Sequence, residues 1–385
     1  MTRPGVVLAM LLLVYIFSFI DRQMLAILAG SVKTELHLTD TQLGALGGLA
    51  FGLLYSTMAM PLGALADRVG RARVIGGALA VWSLFTAMCG LATGYAQLFV
   101  ARMGVGVGEA GGNAPSYALI AERFPVRQRA RAMGIYTLGV PLGSAIGTLL
   151  GAWIAHAVNW RMAFLVMGGA GLLLVLPFRL LVRDRPVPQG AGQGGSGMLP
   201  VLRVLVREPA YWGLALGAGT SSLCGYGFLY WAPTLFQRSF HLTLVETGLF
   251  FAGQAVVAGV LGIMGGAWLA DHLGQKNRAA YAIVPGLAYF LCTPTYWLTF
   301  HTPQPMLAFA IMLVPATLAY VWVGILPAAV QHLVAAPDRA TASAWYLLIN
   351  NGVGLGLGPL LIGQLSDHYT RSYGTDGLRQ AMSVL

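Results

Sequence analysis

Eleven apolar runs occupy most of the chain, near 5–29, 41–62, 74–93, 97–121, 132–155, 161–181, 210–232, 244–268, 279–300, 304–331 and 340–364. A run of about 20 residues crosses the hydrocarbon core of a bilayer as a helix. In that medium every backbone N–H and C=O must be satisfied within the protein, which leaves helices or closed barrels as spanning structures. The runs are continuous and not alternating, so they predict helices. A mean hydropathy of +0.71, with 57% hydrophobic and 9% charged residues, lies far from the roughly one quarter charged of soluble domains. The expectation is an all-α polytopic membrane protein. A polar stretch follows at 366–377, and 378–385 reads as the opening turns of a twelfth helix, so a twelfth span is expected to be incomplete within this chain.

The formal charge of +10 is distributed by topology. Arg68, Arg71 and Arg73 follow the second run, Arg123, Arg127, Arg129 and Arg131 the fourth, and Arg183, Arg185, Arg203 and Arg207 the sixth. Lys276 and Arg278 follow the eighth, and Arg339 the tenth; the alternate loops hold only Lys33, Arg161, Arg238, Arg371 and Arg379. The positive-inside rule then places the amino terminus and the basic loops in the cytoplasm, and no nucleic-acid partner is needed to explain the charge. Cys89, Cys224 and Cys292 sit in separate apolar runs without ligand spacing, so neither a disulfide nor a metal site is expected, and no cofactor is implied. The first run is read as a retained helix, because an internal Asp-Arg pair is foreign to a signal-peptide core.

That pair, Asp21-Arg22, is the strongest functional pointer, since charge inside the membrane is costly and mostly kept for function. Its partners are expected on another helix. Arg102 and Glu109 are the other ionisable residues well inside an apolar run, and they lie two helical turns apart on one face. Low dielectric and a neighbouring guanidinium pull oppositely on the proton of a carboxylate. Asp21 and Glu109 are therefore candidate proton carriers, with a static ion-pair cluster as the alternative. Arg22 and Arg102 stay charged; they either grip an anionic head group or serve as counter-ions.

The longest polar connection, 183–208, contains a Gly- and Gln-rich flexible stretch. It divides the chain into 1–182 and 209–385. Leu65-Ala-Asp67-Arg-Val-Gly70 after the second run is echoed by Leu269-Ala-Asp271-His-Leu-Gly274 after the eighth, as in secondary transporters built from repeats, whose substrate sites lie between them.

Gly63-Ala-Leu-Ala-Asp67-Arg68-Val-Gly70-Arg71-Ala-Arg73 resembles the loop motif of the major facilitator superfamily, and the copy at Asp271 is similar to its second-half form, with Ala267 where a Gly would stand. Arg102 followed by Gly104, Gly106 and Gly108 resembles the fourth-helix motif, and Gly139-Val-Pro141-Leu-Gly143 with Gly147 and Gly151 the antiporter motif of the fifth. Ile20-Asp21-Arg22 together with Gly106-Val-Gly-Glu109-Ala is similar to the Spinster family of lipid transporters. The resemblance covers essentially the whole chain. It implies two pseudo-symmetric six-helix bundles, a monomer in a bacterial inner membrane, and lysophospholipid or sphingoid-phosphate substrates moved in exchange for protons. It also implies that Gly63, Asp67, Arg68, Gly70, Arg71 and Asp271 gate conformation. Asp67 is expected at a helix amino terminus, with the loop arginines pairing acids such as Glu122.

From Glu208 onward no ionisable residue lies well inside an apolar run, so that wall must bind through shape and neutral groups. Candidates are Ser221, Ser222, Tyr226, Tyr230 and Trp231, Gln254, Tyr320 and Trp322, and Trp345, Tyr346, Asn350 and Asn351. A cavity charged on one side and neutral on the other suits an amphiphile, although aromatic residues also anchor helices at interfaces. The Gly139–Gly151 series predicts a smooth packing groove with a bend at Pro141. Gly106-Val-Gly108-Glu-Ala-Gly111 fits a dinucleotide pattern only formally, since no strand precedes it. All seven histidines fall near run ends or in loops, and no nucleophile elbow is present. A transporter is therefore favoured over an enzyme, with proton antiport as the preferred coupling, an uncoupled facilitator or a proton antiporter of a different hydrophobic, drug-like molecule as the alternative, and a non-transporting receptor as the remaining class.

Overall fold

The structure, a computed structural model, describes residues 3–184, 198–275, 277, 279–321, 333–334 and 338–385, without the side chains of residues 126, 130, 267, 271, 281, 282, 339 and 340. The described residues form helices and no strand. In order these are α1 (Pro4–Leu36), α2 (Asp40–Gly47), α3 (Leu49–Val69), α4 (Arg71–Leu91), α5 (Tyr95–Ala110), α6 (Asn113–Arg123), α7 (Val126–Thr137), α8 (Gly139–Ala157), α9 (Trp160–Leu181), α10 (Met198–Arg207), α11 (Pro209–Ser239), α12 (Leu244–Gly274), α13 (Ala280–His301), α14 (Pro305–Leu318), α15 (Arg339–Tyr373) and α16 (Gly377–Val384). Seven helical stretches meet the length and hydropathy of a membrane span by composition alone.

Three of the apolar runs are broken helices. The second divides at Gly48, the fourth at Gly111-Gly112 and the fifth at Leu138, three residues before Pro141. The break in the fourth follows Glu109 directly: the amides of Gly111 and Gly112 turn back to the carbonyls of Gly108 and Glu109, a tightened last turn that lets α6 set off afresh. Elsewhere the caps are ordinary. α1 ends on His37 in the left-handed region (φ 51°), and Thr39 and Gln42 form a capping box that starts α2.

The stretch 366–377 departs from the loop expected of its polarity, since α15 continues to Tyr373. Its first two polar side chains face protein, while those from His368 onward are largely exposed: Ser366 Oγ donates to Asp40, and Asp367 accepts from the amides of Asp40 and Thr41. A helix end that caps a neighbour has no need of water. The short α16 forms where the opening turns of a last helix were expected.

Helices α1–α9 make one group and α11–α16 another, meeting where α8 packs on α12, where α2 and α3 pack on α15, and where α1 packs on α11. Within the first group the fifth-run glycines seat α1 as a groove: a Cβ at Gly147 would stand 2.6 Å from the Ile20 Cα. Between groups, α3 meets α15 backbone to backbone, and a Cβ at Gly52 would stand 2.8 Å from the amide of Gly356. The hydrogen bonds and ion pairs that tie the two groups gather at the end opposite the arginine-rich loops.

Candidate functional site

Asp21 and Arg22 are neighbours on α1, so their side chains leave the helix about 100° apart, and α5 meets both. Arg102 Nη1 lies 3.5 Å from Asp21 Oδ2, while Arg22 donates from Nε to Glu109 Oε2 at 2.8 Å, with Nη2 at 2.7 Å from the same oxygen. Thr86 Oγ1 donates to Asp21 Oδ1 (2.8 Å) and Ser18 Oγ to Glu109 Oε2 (2.7 Å). Both guanidiniums rest against one ring, Phe51, with Arg22 4.9 Å and Arg102 5.2 Å from its centroid; a cation over an aromatic face is attracted by the ring quadrupole. Asp21, Arg102 and Glu109 are 3%, 1% and 2% exposed, which removes these pairs from solvent screening.

Burial is not matched by full coordination. Asp21 Oδ2, Glu109 Oε1 and Arg102 Nε have no hydrogen-bond partner, and an incompletely satisfied buried pair is costly to keep charged. The four charges thus form a compact quartet inside one group of helices, buried except for the 13% exposed side chain of Arg22, and its net charge changes whenever either acid gains a proton.

A cavity of about 200 Å³ lies beside the quartet, between the two groups. From α1 it is lined by Tyr15, Phe19 and Gln23, spaced four apart, while Ser18 and Arg22 turn toward Glu109. From α8 come Val140, Ser144 and Thr148, and from the other group Ser221, Ser222, Tyr226, Gln254, Tyr289, Tyr296 and Tyr320 among others. No Asp, Glu, Lys or Arg is among the described lining residues.

Of the cavity candidates read from sequence, Tyr226, Gln254 and Tyr320 line it, as do Ser221 and Ser222. Tyr230, Trp231, Tyr346, Asn350 and Asn351 do not, and packing explains the difference. Tyr230 OH donates to Leu43 O (2.9 Å) and Trp231 Nε1 to Pro359 O (2.8 Å), each across a helix interface. Asn350 Oδ1 accepts from Ser222 Oγ at 2.6 Å and its Nδ2 approaches Asn351 Oδ1 at 3.4 Å. Tyr346 is buried in a separate cluster with Val201, Leu205 and Tyr211, and Trp345 Nε1 donates to Met198 O beside it. Trp322 lies outside the described residues.

At the arginine-rich end, Arg71 reaches Asp67 (3.1 Å) and Glu122 (2.8 Å). Asp67 does not cap a helix. That place belongs to Asp184, which accepts from the amides of Ala72 (2.7 Å) and Arg73 (3.1 Å) at the start of α4. It lies where a Cβ of Gly70, at φ 112°, would otherwise stand, so the glycine serves both turn and cap. Asp67 and Arg68 are exposed, a Cβ at Gly63 would stand 4.0 Å from that of Ala114, and the side chain of Asp271 lies outside the described residues.

One cluster was not read from the sequence. Asp40, 1% exposed, opens α2 and receives Lys33 from α1 (2.6 Å), both terminal nitrogens of Arg238 from α11 (2.7 and 2.8 Å) and Ser366 from α15 (2.7 Å). At a run end it resembles a solvated loop acid; its position directly after the Thr39 cap was the available signal.

The family described as Major Facilitator Superfamily matches residues 11–359. An MFS-type efflux pump of Mycolicibacterium smegmatis is 29% identical over 388 residues, covering 100% of this chain and 89% of the pump. Human protein spinster homolog 1 is 27% identical, covering 96% of this chain and 74% of that protein. Among solved structures, a bacterial homologue of the human lysosomal transporter Spinster, in an inward-facing and unoccupied conformation, superposes with a TM-score of 0.86 at 27% identity, covering 99% of this chain and 93% of that one.

Proposed function

The chain belongs to the major facilitator superfamily, and from that premise we propose that it is a proton-coupled secondary transporter, not an enzyme, that moves an amphiphilic, lipid-like molecule by alternating access. The carrying observation is the Asp21–Arg102 and Arg22–Glu109 quartet set behind the cavity-facing stripe of α1. Asp21 and Glu109 exchange the proton. Arg22 and Arg102 act as their counter-ions, because each is already engaged by an acid and Arg102 is 1% exposed. Protonation loosens α1 from α5, and since α1 also lines the cavity, the proton and the substrate bias the same equilibrium.

Residues 1–182 and 209–385 are the moving units, with 183–208 as a cytoplasmic linker, and the arginine-rich end faces the cytoplasm of a bacterial inner membrane. The polar ties at the opposite end hold the outer side together, an arrangement that supports an inward-facing reading like that of the Spinster homologue. The Asp67–Arg71–Glu122 contacts, with Asp271 of the second copy, belong to the gate that closes when the cycle turns over. A single chain suffices, and lysophospholipid or sphingoid-phosphate compounds are the substrate class, by similarity to the Spinster proteins. The absence of acids and bases among the described lining residues favours a second reading, efflux of a neutral hydrophobic drug-like molecule.

The test is uptake of labelled lysophosphatidylcholine into vesicles holding the purified protein, with and without a pH gradient, beside Asp21→Asn. Gradient-driven uptake by the wild type, falling to the protein-free level in the variant, is expected. Equal, gradient-independent uptake in both overturns the coupling, and binding without accumulation makes the protein a receptor.

A further inference from the structure

The central cavity has a polarity of its own, separate from the charged quartet. Its described lining contains no acid or base, so nothing there compensates the desolvation of an ionised group taken out of water. Its three serines, Thr148 and Gln23 are already occupied. Gln23 Nε2 is turned to Ser144 Oγ (3.5 Å), Thr148 Oγ1 donates to the carbonyl of Ser144 (2.6 Å), Ser221 Oγ to that of Gly217 (2.8 Å), and Ser222 Oγ to Asn350.

Two lining atoms differ: Gln254 Oε1, on α12, and the Tyr289 hydroxyl, on α13, are cut off from solvent and have no hydrogen-bond partner. Gln254 is itself only 7% exposed. An unpaired buried polar group is costly to leave so, and two of them among the lining residues of one cavity mark places where a ligand atom completes the bonding. A carbonyl oxygen requires a donor, whereas a phenol both donates and accepts. In a lining free of carboxylates the donor is a neutral one. A hydroxyl group satisfies both requirements.

We propose that Gln254 and Tyr289 form a hydroxyl-reading subsite, which selects amphiphiles carrying a free hydroxyl close to the apolar chain over otherwise identical molecules lacking it. The proposal rests on the lipid-like reading of the function and deepens it. A lysophospholipid, with one acyl chain and a free glycerol hydroxyl, meets the condition, and the diacyl form, whose hydroxyl is esterified, does not. The subsite reads that hydroxyl and leaves the ionic head to be handled elsewhere. Discrimination of this kind is strong, because a molecule without the hydroxyl leaves the buried groups unpaired.

The experiment measures equilibrium binding of 1-oleoyl-lysophosphatidylcholine and of its 2-deoxy analogue to the full chain in lipid nanodiscs, with gradient-driven uptake of the same two compounds in vesicles. Wild type is expected to bind the hydroxyl compound about tenfold or more tightly than the deoxy one. In Gln254→Leu the two should bind alike, chiefly through weaker binding of the hydroxyl compound. Tyr289→Phe should narrow the preference in part, and it keeps the test open if Gln254→Leu does not fold. Equal binding of both compounds by wild type, or an undiminished preference in both variants, overturns the subsite while gradient-driven uptake keeps the transporter reading intact. Absence of both binding and uptake for either compound overturns the lipid-like reading and the subsite with it.

Discussion

The protein holds two clusters of carboxylate and arginine that use the same chemistry to opposite ends. In the quartet, Asp21, Arg22, Arg102 and Glu109 all belong to α1 and α5 of one group, and Asp21 Oδ2, Glu109 Oε1 and Arg102 Nε lack hydrogen-bond partners. Around Asp40 the carboxylate is saturated, with Lys33, both ends of the Arg238 fork and Ser366, and its partners come from both groups. A saturated carboxylate has every reason to stay ionised, and it acts as a clamp between moving parts. An undersatisfied one within a single part can change protonation without first breaking an interface. On the proposed reading, coordination and not charge separates the lock from the proton site.

The contrast can be broken most sharply at Arg102. Arg102→Met strands the carboxylate of Asp21, and breaking a buried pair from one side costs about 3–5 kcal/mol. Adding Asp21→Asn removes the stranded acid, so the double variant should regain most of the thermal stability lost by the single one. A double variant as unstable as the single one would mean that Arg102 acts through packing alone. Asp40→Ala comes next. The cations it frees are partly exposed, which lowers the penalty to about 2 kcal/mol; this still shifts the balance of access states by about thirtyfold toward the form open at that end. Spin labels at the exposed Thr34 and Tyr373 should report a longer distance population in this variant, and an unchanged distribution would remove the clamp role. The smallest effect belongs to Tyr230→Phe, which deletes the bond to Leu43 O beside the clamp. It should cost about 1 kcal/mol, visible as a modest fall in melting temperature with uptake retained.

The apolar runs, the alternating basic loops and the four intramembrane charges were legible because each is a violation or a repetition that one residue string displays. Which acid meets which arginine was not. Asp21 and Arg22 are adjacent, Arg102 and Glu109 are two turns apart, and spacing along each helix permits either pairing until the helices are placed. Tyr230, Trp231, Tyr346 and Asn350 were read as cavity residues because polar atoms in an apolar run call for partners. Tyr230, Trp231 and Asn350 have theirs in Leu43, Pro359 and Ser222 across helix interfaces, whereas Tyr346 is held in a packed cluster with its hydroxyl unpaired. A helix has several buried faces, and composition does not say which of them meets empty space. Asp40 and Asp184 were missed for the complementary reason, since an acid at a run end looks solvated until its contacts are seen.

The glycine seam of α3 against α15 bears on speed. Gly52 faces Gly356 with main chain on both sides, so no side chain there must unlatch and change rotamer for one surface to roll over the other. Such a contact behaves as a bearing: it carries load at close range yet offers little friction. On the alternating-access reading proposed above, the activation barrier for switching resides in the few polar contacts around Asp40, and substitutions there should tune turnover without disturbing the axis on which the two groups turn.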